Sequence, residues 1–305
     1  MLPSLLLLAA SLFVASPAKA TSRIIDATPR IALLSAYQPE WDALRAIIDD
    51  PQPSRHAGVE VIIGRVEGHP VVLIFSGASM INAARTAQMA IDRFELKAIL
   101  STGIAGGVDP ALNIGDVLVA DRWGEYFEVI LARAVTGGFK LPAWAERDDR
   151  FPPFGMVFPR GVEIVKLGND EPIRQFWFPV DRRLLAIARS AIGQVALTRC
   201  LGTAVCIETT PKVVIGGNGV SGSAFIDNDA FRSYVHSAFK AQIVDMESAA
   251  VAHVAAVNGV PFLAVCSLSD LAGGGPGENE SALFKHLAAY NSVAMLRAFF
   301  KALPK

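Results

Sequence analysis

The chain has 305 residues, of which 52% are hydrophobic and 19% charged, with a net charge of −1. That length suits one large α/β domain or two small ones built around a substantial core. The near-neutral balance excludes nucleic acid as a bulk partner, because no basic stripe is present to neutralise phosphates.

Residues 1–20, MLPSLLLLAASLFVASPAKA, form a Leu/Ala-rich apolar run that ends in Ala18-Lys19-Ala20, an A-x-A cleavage pattern. The run predicts a secretory signal peptide cut after Ala20. Its n-region has no Lys or Arg, and the rival reading is an uncleaved anchor, for which the apolar run is short. The mature protein is then expected to be exported, secreted or periplasmic, with no stable membrane contact.

Strands and helices alternate from there on. RIALLSA (30–36) reads as a strand and Glu40 to Ile48 as a helix, and VEVIIGRVEGHPVVLIFSG (59–77) reads as two strands around a turn at Gly68-His69-Pro70. A helix follows over 81–94, a buried strand over 97–103 that runs into glycines, and a strand over 116–122. Between Asp121 and Asp181 the pattern dissolves into Pro, Trp, Phe and Arg (LPAWAERDDRFPPFGMVFPRG), a long loop expected to be a lid, an interface or a decoration on the sheet. Beyond it come a helix near 182–196, a strand near 212–217, a helix near 229–239 and the strand QIVDM. Helix ESAAVAHVAAVN ends at Gly259 as a C-cap, PFLAVCSLSD is a strand, and 279–303 is a long terminal helix. Such alternation predicts an α/β fold with a mixed, mostly parallel central sheet flanked by helices, in one domain over 21–305 with an insertion at about 122–180.

Smaller features read plainly. Cys200 and Cys206 are spaced to bridge in an oxidising compartment, a choice that sequence leaves open, whereas Cys266 sits in an apolar strand as a buried thiol. No Cys/His spacing resembles a zinc site. His253 reads as a core or interface histidine and His286 as solvated. The glycine run from Ala272 to Gly277 reads as a flexible loop.

Ligands of open α/β sheets bind at the carboxyl ends of strands. Four such ends carry notable residues: Glu40, Asp245-Met246-Glu247, Asp270, and the glycine turn Thr102-Gly103-Ile104-Ala105-Gly106-Gly107. Each acid alone has a structural explanation as a helix-terminal carboxylate. Four on one sheet edge point to a pocket.

Three stretches together, STGIAGGVDPALNIGDVLVADR (101–122), SGSAFID (221–227) and VDMESAAVAHVAAVNGVPFLAVCSLSD (244–270), resemble the purine/uridine phosphorylase superfamily. The similarity is greatest to the 5′-methylthioadenosine/S-adenosylhomocysteine nucleosidases and covers most of 30–303 apart from the insertion. It implies a three-layer nucleoside phosphorylase-like fold, a homodimer, no cofactor and no metal. It also implies roles: Glu40 as the base on the attacking water, Asp270 as the proton donor to N7 of the departing purine, and Glu247 as acceptor of the ribose 2′ and 3′ hydroxyls. Met246 would lie against the ribose, Phe225 would stack on the base and Ile226 would offer backbone groups to its edge. Ala78, Ile104 and Gly106 complete the implied substrate-binding set. The types suit cleavage of an N-glycosidic bond, which passes through an oxocarbenium-like cation and needs a protonated leaving group.

The chain departs from that pattern at Ile104, where these nucleosidases carry Ser, at Cys266, where they carry Arg, and at Ser223, where an Asp is frequent. Phosphorylases bind phosphate with an Arg just before the glycine turn, and here the stretch is Ser101-Thr102-Gly103. The expectation is therefore an exported purine nucleoside N-ribosyl hydrolase acting on adenosine-type nucleosides such as methylthioadenosine. Two alternatives stay open: a phosphorylase using Arg85 or an arginine of the insertion, and a catalytically weak binding or storage protein.

Overall fold

The computed structural model describes residues 24–305 except 57, 167, 169, 170, 203 and 204. The leader expected over 1–20 lies outside the described residues.

A 12-stranded mixed sheet forms the centre. In chain order its strands are β1 (Asp26–Ser35), β2 (Asp49–His56), β3 (Val59–Val66), β4 (His69–Phe75), β5 (Phe94–Gly107) and β6 (Val117–Val119). The rest are β7 (Arg122–Glu125), β8 (Trp177–Pro179), β9 (Val213–Ile215), β10 (Asn218–Ser221), β11 (Ala241–Asp245) and β12 (Phe262–Asp270). The helices are α1 (Gln38–Arg45), α2 (Met80–Arg93), α3 (Arg182–Ala191), α4 (Asp229–Phe239), α5 (Ser248–Asn258) and α6 (Ser281–Ala302).

Strand β1 runs parallel to β4 and β5, and β5 runs parallel to β12. Their continuous apolar runs follow from burial on both faces; every residue of β12 is buried. The far end of β5 crosses to pair antiparallel with β11, Val244 opposite Gly106. That crossing delivers the carboxyl ends of β1, β5, β11 and β12 to one edge.

Helix α5 packs against α2, and α6 against β12, β5, α1 and α3. Helix α5 is apolar nearly all round, as a buried helix must be. It stops at Gly259, whose φ of 69° is left-handed and whose N–H reaches the carbonyls of Ala255 and Ala256.

Several sequence expectations are corrected. DVLVADR is not one strand: β6 ends at Val119 and β7 begins at Arg122. The turn between β3 and β4 is at Glu67-Gly68, so His69 and Pro70 open a strand. The exposed strand β2, DDPQPSRH, is absent from the sequence reading because it has no β-branched residue and pairs only through its backbone with β3.

The insertion is not a structureless loop. It holds short antiparallel pairs, 129–131 with 157–159, 133–135 with 138–140, and 162–164 with 173–175. Its first and last strands, β7 and β8, pair with each other and extend the main sheet. An aromatic cluster fastens it: Phe151 and Phe176 lie 4.2 Å apart and Phe176 stacks on Phe239 of α4 at 5.3 Å. His253 of α5 stacks on Phe178 at 4.6 Å, with its Nδ1 3.1 Å from Glu125 Oε1, so it is a satisfied interface histidine.

Candidate active site

The four strand ends enclose a cavity of about 300 Å³. All nine residues singled out from the sequence line it: Glu40, Ala78, Ile104, Gly106, Phe225, Ile226, Met246, Glu247 and Asp270. Ala36, Tyr37, Ala224, Asp245, Ser269 and Ser281 also line it and were not assigned there from sequence. Tyr37 and Ser281 carry no motif of their own; Asp245 is the exception, since its place at a strand end already marked it.

Glu40 enters from the first turn of α1. Its Oε2 accepts the N–H groups of Ala36 and Tyr37 at 3.0 and 3.1 Å and the Ser35 hydroxyl at 3.3 Å. Oε1 accepts the N–H of Ile104 at 3.0 Å. Glycine at 103 makes this approach possible, because a Cβ there would lie 2.8 Å from Glu40 Oε1. Burial pushes the Glu40 carboxyl up to about 7, against the pull of those four hydrogen bonds.

Glu247 stands between β11 and α5. Oε1 accepts the Ser79 N–H at 2.6 Å and Oε2 the Met246 N–H at 3.1 Å. Burial, then the Asp245 carboxylate, raises its pKa. Asp245 is held by the Ser221 hydroxyl and by the N–H groups of Glu247 and Ser248 at 3.2 Å, and burial raises it too.

Asp270, 3% exposed, closes β12. Its Oδ1 accepts the Ala272 N–H at 2.8 Å and its Oδ2 the Ser269 hydroxyl at 2.9 Å. Burial raises its pKa as well. Burial thus raises the pKa of all four acids of the site, Glu40, Asp245, Glu247 and Asp270, a shift towards the range that suits proton transfer near neutrality.

The remaining residues set shape. Ile226 is 7% exposed, whereas the Phe225 ring is 59% exposed and stands at the mouth. Cys266 is buried beneath the floor, its Sγ 3.9 Å from Asp245 Oδ2, and burial raises its thiol pKa so that it stays protonated. A void of about 20 Å³ lies between Glu40, Asp245, Glu247, Thr102 and Cys266, room for about one water. The buried Thr102 hydroxyl, one of the residues around that void, has no hydrogen-bond partner. Neither cavity is lined by Lys or Arg. Among the described residues no group of three His, Cys, Asp or Glu is arranged to hold a metal ion.

Fold and site together define an α/β protein with an acid-lined, cation-free pocket at the carboxyl edge of a mixed sheet. A sequence profile of the family described as Phosphorylase superfamily matches residues 30–303, and the chain belongs to that family. The 5′-methylthioadenosine/S-adenosylhomocysteine nucleosidase of Mycobacterium bovis is 27% identical over 267 residues, 88% of this chain and 95% of that protein. Bark storage protein B of Populus deltoides is 24% identical over 257 residues, 81% of this chain and 79% of that protein. Among solved structures, S-adenosylhomocysteine nucleosidase from Streptococcus pyogenes, in complex with 5-methylthiotubericidin, superposes with a TM-score of 0.67. It is 25% identical, over 91% of this chain and 98% of that one. The expected family and fold class are both borne out.

Proposed function

We propose that the protein is a purine nucleoside N-ribosyl hydrolase acting on adenosine-type nucleosides such as 5′-methylthioadenosine. The observation that carries this reading is the convergence of Glu40, Glu247 and Asp270 on one cavity that has no Lys or Arg in its lining. A phosphate dianion needs cationic donors, and a neutral water does not. The nucleosidase relatives at 27% and 25% identity point the same way.

In this reading Glu247 accepts the ribose 2′ and 3′ hydroxyls and Met246 lies against the sugar. Phe225 covers the base and Ile226 meets its edge through the backbone. Glu40, poised near 7, takes the proton from a water as it attacks the anomeric carbon. Asp270, whose pKa burial raises, gives its proton to N7 in its neutral form, so the base leaves uncharged. The void beside Glu40 suits a water, although Ile104 and Cys266 bring no charged group to hold it.

Chromatography of products from adenosine, inosine and methylthioadenosine, with and without phosphate, tests the proposal. Free base in phosphate-free buffer is the expected result. Base released only with phosphate would make the protein a phosphorylase. No base in either buffer would favour a storage role, the reading to which similarity to Bark storage protein B lends weight.

We further propose that the protein is exported after removal of residues 1–20 and works as a homodimer. The Cys200–Cys206 disulfide suits an oxidising compartment. Exposed Ile81, Phe127 and Phe225 offer apolar surface to a second copy. N-terminal sequencing of secreted protein and light scattering in solution test these two points.

A further inference from the structure

The glycine run after Asp270 is not a slack loop. Gly273, at a left-handed φ of 85°, brings its backbone so close to the segment before α4 that an added Cβ would lie 2.3 Å from the Asn228 nitrogen and 2.6 Å from the Asp227 carbonyl carbon. A Cβ on Gly274 would lie 2.4 Å from Arg232 Nη1. The Asn228 N–H donates to the Ala272 carbonyl at 3.3 Å. The loop is thus seamed onto the stretch that follows Phe225 and Ile226, and it returns to the acid at Asn279.

There one side chain meets two carboxylates. Asn279 Nδ2 lies 3.2 Å from Asp227 Oδ1 and 3.4 Å from Asp270 Oδ1. Its Oδ1 accepts the N–H of Ser281 at 2.9 Å. Only one orientation of the amide satisfies this environment, with the NH₂ group towards the two acids and the oxygen towards the N–H. Ser281 continues the network, its hydroxyl 3.2 Å from that of Ser269, which in turn donates to Asp270 Oδ2.

We propose that Asn279 is a positioning residue for Asp270: its amide fixes the Asp270 carboxyl at the cavity wall and stands between it and the Asp227 carboxylate. The catalytic consequence rests on the reading of Asp270 as the proton donor. Other charged groups around the acid are accounted for. Glu40 and Glu247 share its cavity, Arg232 of α4 is committed to the Gly107 carbonyl at 3.0 Å, and Lys285 of α6 reaches the Tyr37 hydroxyl. Glu278 and Glu280 lie on the loop itself.

The two neighbours act in opposite senses. Hydrogen bonding from Asn279 favours the ionised form of Asp270, and the charge of Asp227 disfavours it. Asn279→Ala therefore raises the Asp270 titration point and Asp227→Asn lowers it. Both variants of the full chain are followed by the carboxyl ¹³C resonance of Asp270 across pH, together with the alkaline limb of kcat for base release. Opposite shifts, with the limb following the resonance, are expected. A purely structural role would lower Tm and kcat and leave the titration in place.

Any pattern other than opposite shifts in the resonance overturns the proposal. Asp227→Asn keeps it testable if the Asn279 variant does not fold. Failure of the nucleosidase reading looks different: the resonance shifts as stated, but no base is released by any form of the protein.

Discussion

At the scale of single residues, the two groups proposed to transfer protons, Asp270 and Glu40, make separable predictions. Asp270→Asn removes a proton needed only in the transition state, so kcat for base release should fall by about 10²- to 10⁴-fold while a nucleoside analogue still binds. Isothermal titration beside the kinetics checks this, and an unchanged kcat would remove Asp270 from the chemistry. Glu40 must be ionised to act as base. With its carboxyl at about 7, kcat/KM should climb as pH rises through that value, and Glu40→Gln should abolish hydrolysis. Stability has the opposite dependence. A carboxyl at about 4.5 in the unfolded chain and about 7 when folded binds its proton more tightly in the native state. Its contribution is complete below about 4.5 and is lost by about 7, a change of about 3 kcal/mol. Scanning calorimetry should therefore show Tm declining from pH 5 to 8, and Glu40→Gln should flatten that decline. Each of these acids alone also reads as a helix-terminal carboxylate; they were legible in the sequence because they fall together at strand ends of one sheet edge and match the family's motifs. Tyr37, Ser79 and Ser281 were not legible, since Ser79 acts through its backbone and the other two are brought in by tertiary packing.

At the scale of elements, the buried strands and helices were legible wherever one physical cause dominates. Strands β1, β5 and β12 are continuous apolar runs, and α2 and α6 carry helical spacing. The reading failed where pairing rather than hydrophobicity makes the structure. Strand β2 is polar and exposed, and the insertion's hairpins are three-residue strands among prolines whose order comes from rings packing on α4. The glycine run was misread for a related reason: sequence shows that glycine permits a conformation, not that a neighbour demands it. Gly273→Ala tests the demand. The left-handed φ costs about 1 kcal/mol, and the contact with the Asn228 backbone must also be relieved. Tm should fall by several degrees and base release should weaken as the Asp227 segment moves. Gly277→Ala, with nothing within 4 Å of the new methyl, should stay within about 0.5 kcal/mol of the parent. Equal behaviour of the two variants would mean that the loop is not seamed onto α4.

At the scale of the whole molecule, the main core ends before the cavity wall does. A separate small cluster, Ile114, Ile207, Phe284 and Leu287 with Leu201 and Leu271 against it, packs beneath the first turns of α6. That helix follows Asn279 and carries Ser281. Ile207 follows, and Leu201 belongs to, a short hairpin that the Cys200–Cys206 disulfide closes. The sequence left that pairing open, because six positions of separation fit a bridge and two free thiols equally well. Closing so short a loop stabilises by about 2 kcal/mol through the entropy of the unfolded chain, or roughly 4–8 °C in Tm for a domain of this size. Cys200→Ser/Cys206→Ser should lose that much in scanning calorimetry at neutral pH. Neither cysteine lines the cavity, so kcat at 25 °C should stay within about twofold of the parent. A thiol-reactive dye should find no accessible cysteine in the native oxidised protein and one, Cys266, after denaturation. If Tm is unmoved and two further thiols react in the parent protein, the bridge does not form, and with it goes the structural support for an oxidising compartment. If Tm falls and kcat falls with it, the hairpin holds α6 in register with Asp270, and the small cluster belongs to the working parts of the site.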